Sequence, residues 1–350
     1  MNIPASQARE VFTQTRIDEY RERTTPMSFL RSFFPTVETG SKYLSIEVQR
    51  GTEKVAIDIE RGTEGNRNSA SKSTQKAFLP PYYREYMDAT DLEIYDRLFT
   101  ADGIISGTDF AGFVRELNDE MQMLQSKIER AYELQCAQVL TTGIVQLNQG
   151  TNIDYKRKAA SLVDLGAPNY WTQATVDPAV ALENGANFIR QVGKSRGSTM
   201  NAIVGSDVLN VLFNNPVFQA KADVRRMDLN EAFAPQRDSV GGSLHGRISA
   251  GAYNINIWTY PEFYDNASGV STPYLDPTKV ILLPEQPRFK LGFAAVPQLV
   301  STGGAVDTRG AYVFNDYIDN RMSSHIFDIK SAGVAIPVAV DEIYTFKAIA

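Results

Sequence analysis

Apolar residues recur along this chain with two different periods, and one stretch holds almost none. At Leu44, Ile46 and Val48 they alternate with polar residues, and they alternate again at Val55, Ile57 and Ile59 after a break at Gly51-Thr52. A period of two predicts half-buried strands. From Glu60 to Lys76 the only apolar residue is Ala70. If the limbs flanking this polar tip run out and back, each of roughly 20 residues reaches on the order of 60 Å. A globule of this length has a radius of gyration of only ~20 Å. Such an arm finds its burial on another molecule, unless it folds back as an ordinary meander.

The other period is helical. Phe113, Leu117, Met121, Leu124, Ile128, Ala131 and Val139 recur every three or four positions and predict a helix from Asp109 to about Thr141. Thr108 or Asp109 can cap it and Gly143 can close it. At 1.5 Å per residue it is a rod of about 50 Å, a spine for the domain, with Cys136 on it as a small buried thiol. Asp177-Pro178, a cap followed by proline in the first turn, opens a second helix through Val180, Leu182, Phe188, Ile189 and Val192 to Gly193. A buried strand at Asn201–Gly205 and a short helix around Val208, Leu209, Leu212 and Phe213 follow. From Arg247 onward strands dominate: Tyr253–Trp258, Lys279–Leu283, Phe289–Ala294, His325–Lys330, Val334–Val340 and Ile343–Ile349. The mixture predicts an α+β fold rather than a doubly wound sheet. Near the start, residues 1–25 read as a polar helical arm, and Phe29, Leu30, Phe33 and Phe34 as a compact apolar anchor ended by Pro35.

Composition narrows the function. With 43% hydrophobic residues the chain can bury a large core, and its net charge of −6 argues against a surface that grips nucleic acid throughout. Arg9, Arg16, Arg21, Arg23 and Arg31 form a local basic stretch, but Glu10, Asp18, Glu19 and Glu22 interrupt it, as on a solvated helix face. A single cysteine forbids an internal disulfide and fits a reducing cytosol. No apolar run approaches the 18 or so residues that cross a bilayer, and Asn2–Tyr20 lacks a signal-peptide core. His245 and His325 are the only histidines, so no histidine-built metal site is expected. Nucleotide-loop and nucleophile-elbow motifs are missing, and Val240–Ser243 and Thr302–Gly304 read as turns. Asp88, Asp91, Glu93 and Asp96 are the wet side of a short segment whose stripe is Leu92, Tyr95, Leu98 and Phe99. No catalytic group, cofactor or metal is expected.

The order of these parts is informative. Phe29-Leu30-Arg31 with Phe33-Phe34, then Thr39–Thr52 leading into the polar loop, the spine helix, Asp177-Pro178 before Asn201–Val204, the strand Lys279–Leu283 and the closing block Ser323–Ala350 occur in sequence over most of the chain. This order resembles the phage lambda-type major capsid proteins, the capsid protein E family, which use the Hong Kong 97-type capsid fold. The resemblance implies an N-terminal arm at 1–40, an extended loop at 41–88 and a peripheral domain at 89–176 carrying the spine helix. It further implies a mainly axial domain at 177–310, with C-terminal strands at 311–350 returning to the peripheral domain. The region 225–275 matches least.

The function so implied is that of a major capsid protein of a tailed bacteriophage. It would self-assemble into hexamers and pentamers of an icosahedral head that encloses double-stranded DNA, in a virion put together in the host cytoplasm. Expected partners are other copies of the chain, a separate scaffolding protein, a portal, packaged DNA through non-specific contacts and, optionally, a decoration protein, with no membrane. Phe29, Phe33, Phe34, Val55, Ile57, Ile59, Arg61, Arg67, Lys72 and Lys76 are the candidates for contact between subunits, although simple solvation accounts equally well for the four loop cations. Loop lysines offer no identified partner for a covalent cross-link, and none is expected. Two other readings stay open: an encapsulin-type compartment shell with the same fold, and a soluble enzyme with an unfamiliar site.

Overall fold

The computed structural model of the protein describes residues 26–49, 73–90, 107–148, 152–224, 236–238, 240–299, 305–319, 321 and 324–350. The expected helix in 1–25, the strand at Val55–Ile59, the loop tip up to Lys72, the segment around Leu92–Phe99 and the turn at Thr302–Gly304 lie outside them. A one-turn helix α1 (Phe29–Ser32) is followed by β1 (Thr36–Glu38), then β2 (Leu44–Gln49), β3 (Ser73–Phe78) and β4 (Tyr83–Thr90). The long helix α2 spans Gly107–Thr141, two residues earlier than the spacing predicts. It stops at Gly143, whose φ of +77° and N–H bonds to the carbonyls of Gln138 and Val139 end the helix in the left-handed conformation. Short strands β5 (Ile144–Val145), β6 (Ile153–Asp154) and β7 (Leu162–Asp164) lead to α3 (Pro178–Gln191), whose Asp177 side chain accepts from Ala179 N–H as expected.

Strand β8 (Thr199–Val204), helices α4 (Ser206–Asn214) and α5 (Pro216–Val224), and strands β9 (Gln236–Arg237), β10 (Ser243–Ala250) and β11 (Tyr253–Thr259) come next. The remainder is strand: β12 (Phe263–Asp265), β13 (Ser271–Pro273), β14 (Lys279–Pro284), β15 (Phe289–Phe293), β16 (Val296–Leu299), β17 (Ala305–Thr308), β18 (Val313–Asp319), β19 (Ser324–Ser331), β20 (Gly333–Pro337) and β21 (Tyr344–Lys347). Strand β20 ends earlier than the expected Val340 because Pro337 has no N–H to continue the ladder, and a 3-10 turn at Val340–Glu342 follows.

The described chain divides into two compact units. The first takes in Tyr83–Ala131 and Tyr312–Ser331. Its centre is an antiparallel sheet of order β18-β19-β4, with His325 facing Ala89 and Ser331 facing Tyr83 across the β19–β4 pair. The second takes in Ser28–Tyr82, Tyr132–Ala311 and Ala332–Ala350. It contains a seven-stranded mixed sheet of order β7-β21-β14-β8-β11-β10-β9 and a three-stranded sheet of order β1-β15-β20. Strands β8 and β11 run parallel, joined by a crossover through α4 and α5, and β8 is buried along nearly its whole length, Asn201 included. Helix α3 lies against β10, β14 and β21, placing Leu182, Ala186 and Ile189 in a core with Trp171, Val208, Leu212 and Phe346.

Ala332–Ala350 and 132–176 join the unit that holds 177–310. Strand β21 explains why: Tyr344, Thr345 and Phe346 are buried on both faces, which only an interior position between β7 and β14 provides. Strand β4, Tyr83–Thr90, pairs with β19 in the first unit's sheet.

Candidate functional site

The second unit holds the N-terminal segment at the point where β2 and β3 leave it. A helix as short as α1 exposes its first N–H groups, and Ser28 supplies no side-chain cap. Glu133 of α2 does so from 103 residues away: Leu30 N–H donates to Oε1 at 2.8 Å and Arg31 N–H to Oε2 at 3.0 Å. Ser28 N–H donates to Val240 O at 3.2 Å. Phe29 is buried among Phe33, Trp258 and Tyr260, with ring centroids 5.3, 5.3 and 5.5 Å away. Gly242 is required beside it, since a Cβ there would lie 2.3 Å from the Phe29 ring. Phe34 stacks on Phe289 at 4.9 Å.

The chain then joins the sheet. Pro35 O accepts from Leu291 N–H at 3.0 Å, and β1 pairs in parallel with β15, Thr36 opposite Leu291. Ala295 N–H donates to Ser41 O at 3.0 Å. Leu44 lies over Gly292, where a Cβ would come within 2.9 Å of it. From this root β2 and β3 pair antiparallel from Leu44 opposite Phe78 to Gln49 opposite Ser73, so Ser73–Lys76, which the sequence gives to the polar tip, is strand. Around the root Val37, Tyr43, Leu79 and Tyr82 are exposed.

The electrostatics of the anchor are unusual for an acid. Burial is the largest influence on Glu133 and pushes its carboxyl from the ordinary 4.5 up to about 7, against the two N–H bonds, a hydrogen bond from Tyr260 and the charge of Arg31. Burial and the neighbouring Glu133 also push up the hydroxyl of Tyr260 and the thiol of Cys136.

The first unit has its own polar cluster. Cross-strand register puts Arg84 and Tyr86 of β4, Asp328 and Lys330 of β19 and Tyr317 of β18 on one sheet face. Asp328 is fully buried; its Oδ2 meets Arg84 at 2.7 Å and Lys330 at 3.4 Å. Arg84 also donates to the Tyr317 hydroxyl at 3.3 Å. Tyr86 is 62% exposed on the same face.

The sequence-derived contact residues fall in different places. Phe29 and Phe34 are buried inside the chain's own second unit, so their surface is used up there and not left for a neighbour; Phe33 is half-buried beside Phe29. Val55, Ile57, Ile59, Arg61, Arg67 and Lys72 lie outside the described residues. Lys76 is on β3, opposite Ile46. Sequence reasoning missed Glu133, Tyr260 and the close-approach glycines 242 and 292. Glu133 had left one signal: with Cys136, Ala137 and Leu140 it occupies the buried face of α2, a charge at an apolar position. His245 bonds the Thr259 hydroxyl at 2.8 Å. Among the described residues no group of three or more His, Cys, Asp and Glu side chains could hold a metal, and no helix is long and apolar enough to cross a membrane.

A model of the phage major capsid protein E family matches residues 18–323. The chain belongs to that family. It is a major capsid protein of a tailed phage, from a family of structural shell proteins of the virion. No curated protein matches this capsid protein in sequence. A protein described as the capsid protein of a prophage of Escherichia coli CFT073 superposes on it with a TM-score of 0.60, at 16% identity over 100% of both chains. The mature capsid of bacteriophage PhiM1 gives 0.50, at 12% identity over 94% of this chain and 89% of that one. An encapsulin complex of Synechococcus elongatus gives 0.46 at 10% identity over 100% and 96%, too distant to argue for a compartment. At such identities these likenesses establish the fold, the α+β Hong Kong 97 type.

Proposed function

We propose that the protein assembles into hexamers and pentamers of an icosahedral head that encloses double-stranded DNA, each copy laying its β2–β3 arm across a neighbour. One observation carries this reading: in a family of shell-forming proteins, an antiparallel limb pair departs from a root fixed by α1, β1 and Gly292, and a limb pair alone is too small to be stable in water. A neighbouring copy supplies the missing cover. Repeated heterologous contacts of this kind close around five- and six-fold axes. The loop cations Arg61, Arg67, Lys72 and Lys76 would pair with acids of the next copy, each pair contributing about 0–1 kcal/mol, and the lattice repeats them. The exposed apolar rim at Val37, Tyr43, Leu79 and Tyr82 is the other part of that contact.

An acidic chain, with its net charge of −6, suits an inner wall against which DNA is packed and later released. A separate scaffolding protein would guide assembly in the host cytoplasm, a portal would occupy one vertex and a decoration protein is optional. The test is negative-stain electron microscopy of the purified chain, expressed with and without a candidate scaffolding protein. Closed shells or regular capsomer sheets are expected. Uniform small particles, unchanged when Glu60–Lys76 is deleted, would overturn the reading.

A further inference from the structure

The second unit carries its charge unevenly between the two ends of its large sheet. Strands β7, β21, β8 and β11 share one direction and β14 runs against them. The segments that precede the first four, with the one that follows β14, therefore gather at one end. They hold Lys158, Lys194, Arg196 and Arg288, all exposed. Acids lie beneath these cations: Lys158 Nζ meets Asp341 at 2.8 Å and Arg288 Nε meets Glu342 at 2.7 Å, the acid side chains being 17% and 2% exposed. Arg288 also donates to Gly193 O at 2.9 Å, which ties the end of β14 to the segment before β8. Arg157 adds a cation held by the carbonyls of Leu140, Ser161 and Ile343 and by the Thr345 hydroxyl. Glu285 is the exposed acid among the described residues of these segments.

The opposite end has the reverse sign. Asp164 ends β7, Asp207 and Asp265 follow β8 and β11, and Asp238 precedes β10; all four are exposed. Lys279 and Lys347 are half-buried there and engaged locally, Lys279 with Asp276 at 3.0 Å and Lys347 over the Tyr170 ring at 5.8 Å. Six residues of β8 separate the two ends, about 20 Å of strand. Physiological salt screens exposed charges over ~8 Å, so the two ends do not neutralise each other within one copy.

We propose that the cationic end of this sheet docks on the acidic end of the same sheet in a second copy of the chain. This rests on the shell-forming reading and adds a contact to that of the arm. Both ends belong to one unit, so the contact is heterologous, head to tail, and passes from copy to copy until a ring closes. A nucleic acid would match the cationic end alone and be repelled by the acidic one, whereas a second copy answers both with a single kind of contact. Opposite potentials steer the encounter and fix its direction, because a copy presented the other way round sets like charge against like. Exposed pairs are individually weak and screened by salt, so a misplaced copy can leave before the ring is complete.

Charge reversal at each end of the full chain, followed by light scattering and electron microscopy, tests this. Lys194→Glu with Arg196→Glu reverses the cationic end and spares Lys158 and Arg288, which hold the buried acids. Asp207→Lys with Asp265→Lys reverses the acidic end. Either variant alone sets like charge against like and is expected to lose assembly while keeping the native circular dichroism and melting temperature. Mixed in equal amounts, the two are expected to regain assembly, because each then meets a complementary end on the other. Native shells together with variants that assemble equally well overturn the proposal and leave the shell reading standing, as does a mixture of folded variants that stays unassembled. A native chain that forms only small particles overturns the shell reading and this contact with it. If a variant fails to fold, the salt series decides: native assembly is expected to weaken between about 0.05 and 0.5 M salt, and an unchanged yield overturns the proposal. A cationic-end variant that assembles normally but no longer retains a double-stranded DNA oligonucleotide bound by the native chain would assign that end to DNA and also overturn it.

Discussion

Gly242 and Phe29 should be energetically coupled, each variant relieving the cost of the other, and a double-mutant cycle measures this. A methyl group on Gly242 would sit 2.3 Å from Phe29 Cδ2 and 2.4 Å from Cε2, where two carbons in contact prefer about 3.5–4.0 Å. The methyl or the ring must therefore give way by more than ~1 Å. The ring has little freedom to do so, held by Trp258, Tyr260 and Phe33. Overpacking of this kind costs about 1–3 kcal/mol, so Gly242→Ala should destabilise by that amount. Phe29→Leu alone should cost about 1–2 kcal/mol through lost burial and a small void. In the double variant the methyl occupies the space the ring vacated, and the total should not exceed the larger single cost, a coupling of about 1–2 kcal/mol in favour of the pair. Urea unfolding of the unassembled protein reads all four corners. Trp258, whose ring touches Phe29 and which is one of only two tryptophans, reports on the anchor by its fluorescence. Single effects that simply add, at equal m-values, would refute the packing described for this contact.

Two further outcomes follow from buried polar groups. Asn215 donates to the carbonyls of Trp171, Gln173 and Val176 and accepts from the N–H groups of Val217 and Phe218. Asn215→Ala should cost about 2–4 kcal/mol, and Asn215→Asp should cost more at pH 8 than at pH 5, because a carboxylate facing three carbonyls takes up a proton on folding; calorimetry at the two pH values checks the sign. Removing the fully buried Asp328 leaves Lys330 nearly buried without it, so Asp328→Ala should cost about 3 kcal/mol. Arg84→Ala, which deletes a partner 44% exposed, should cost about 1 kcal/mol or less. Equal losses in denaturant titrations would refute the difference in burial.

Local periodicity made much of the fold legible. The limits of α3 followed from Asp177-Pro178, those of α2 from its apolar stripe and Gly143, and the alternation at Leu44, Ile46 and Val48 announced β2. Pairings between distant segments were not legible, because hydrogen bonds between Thr36–Glu38 and Leu291–Phe293 impose no local pattern on either sequence. The same limit applied to the anchor. Phe29 and Phe34 were evidently apolar anchors, but whether they docked on their own chain or on a neighbour depended on Trp258, Tyr260 and Phe289, more than 200 residues further on. Glycines 242 and 292 look like ordinary glycines until the side chains above them are known. The place of the terminal strand β21 inside the large sheet was likewise not legible, since it depends on pairing with β7 and β14 far away in sequence.

The parallel pairing of β1 with β15, and the antiparallel pairing of β15 with β20, also order events in time. Thr36–Glu38 emerge from the ribosome early but have no strand to pair with until Phe289–Phe293 and then Gly333–Pro337 have been made. At roughly 5–20 residues per second that wait is on the order of ten to fifty seconds. A nascent chain therefore has no fully rooted arm. Readiness to associate arrives only with the completed polypeptide, and a truncated product that ends before β15 is barred from the lattice by its own topology.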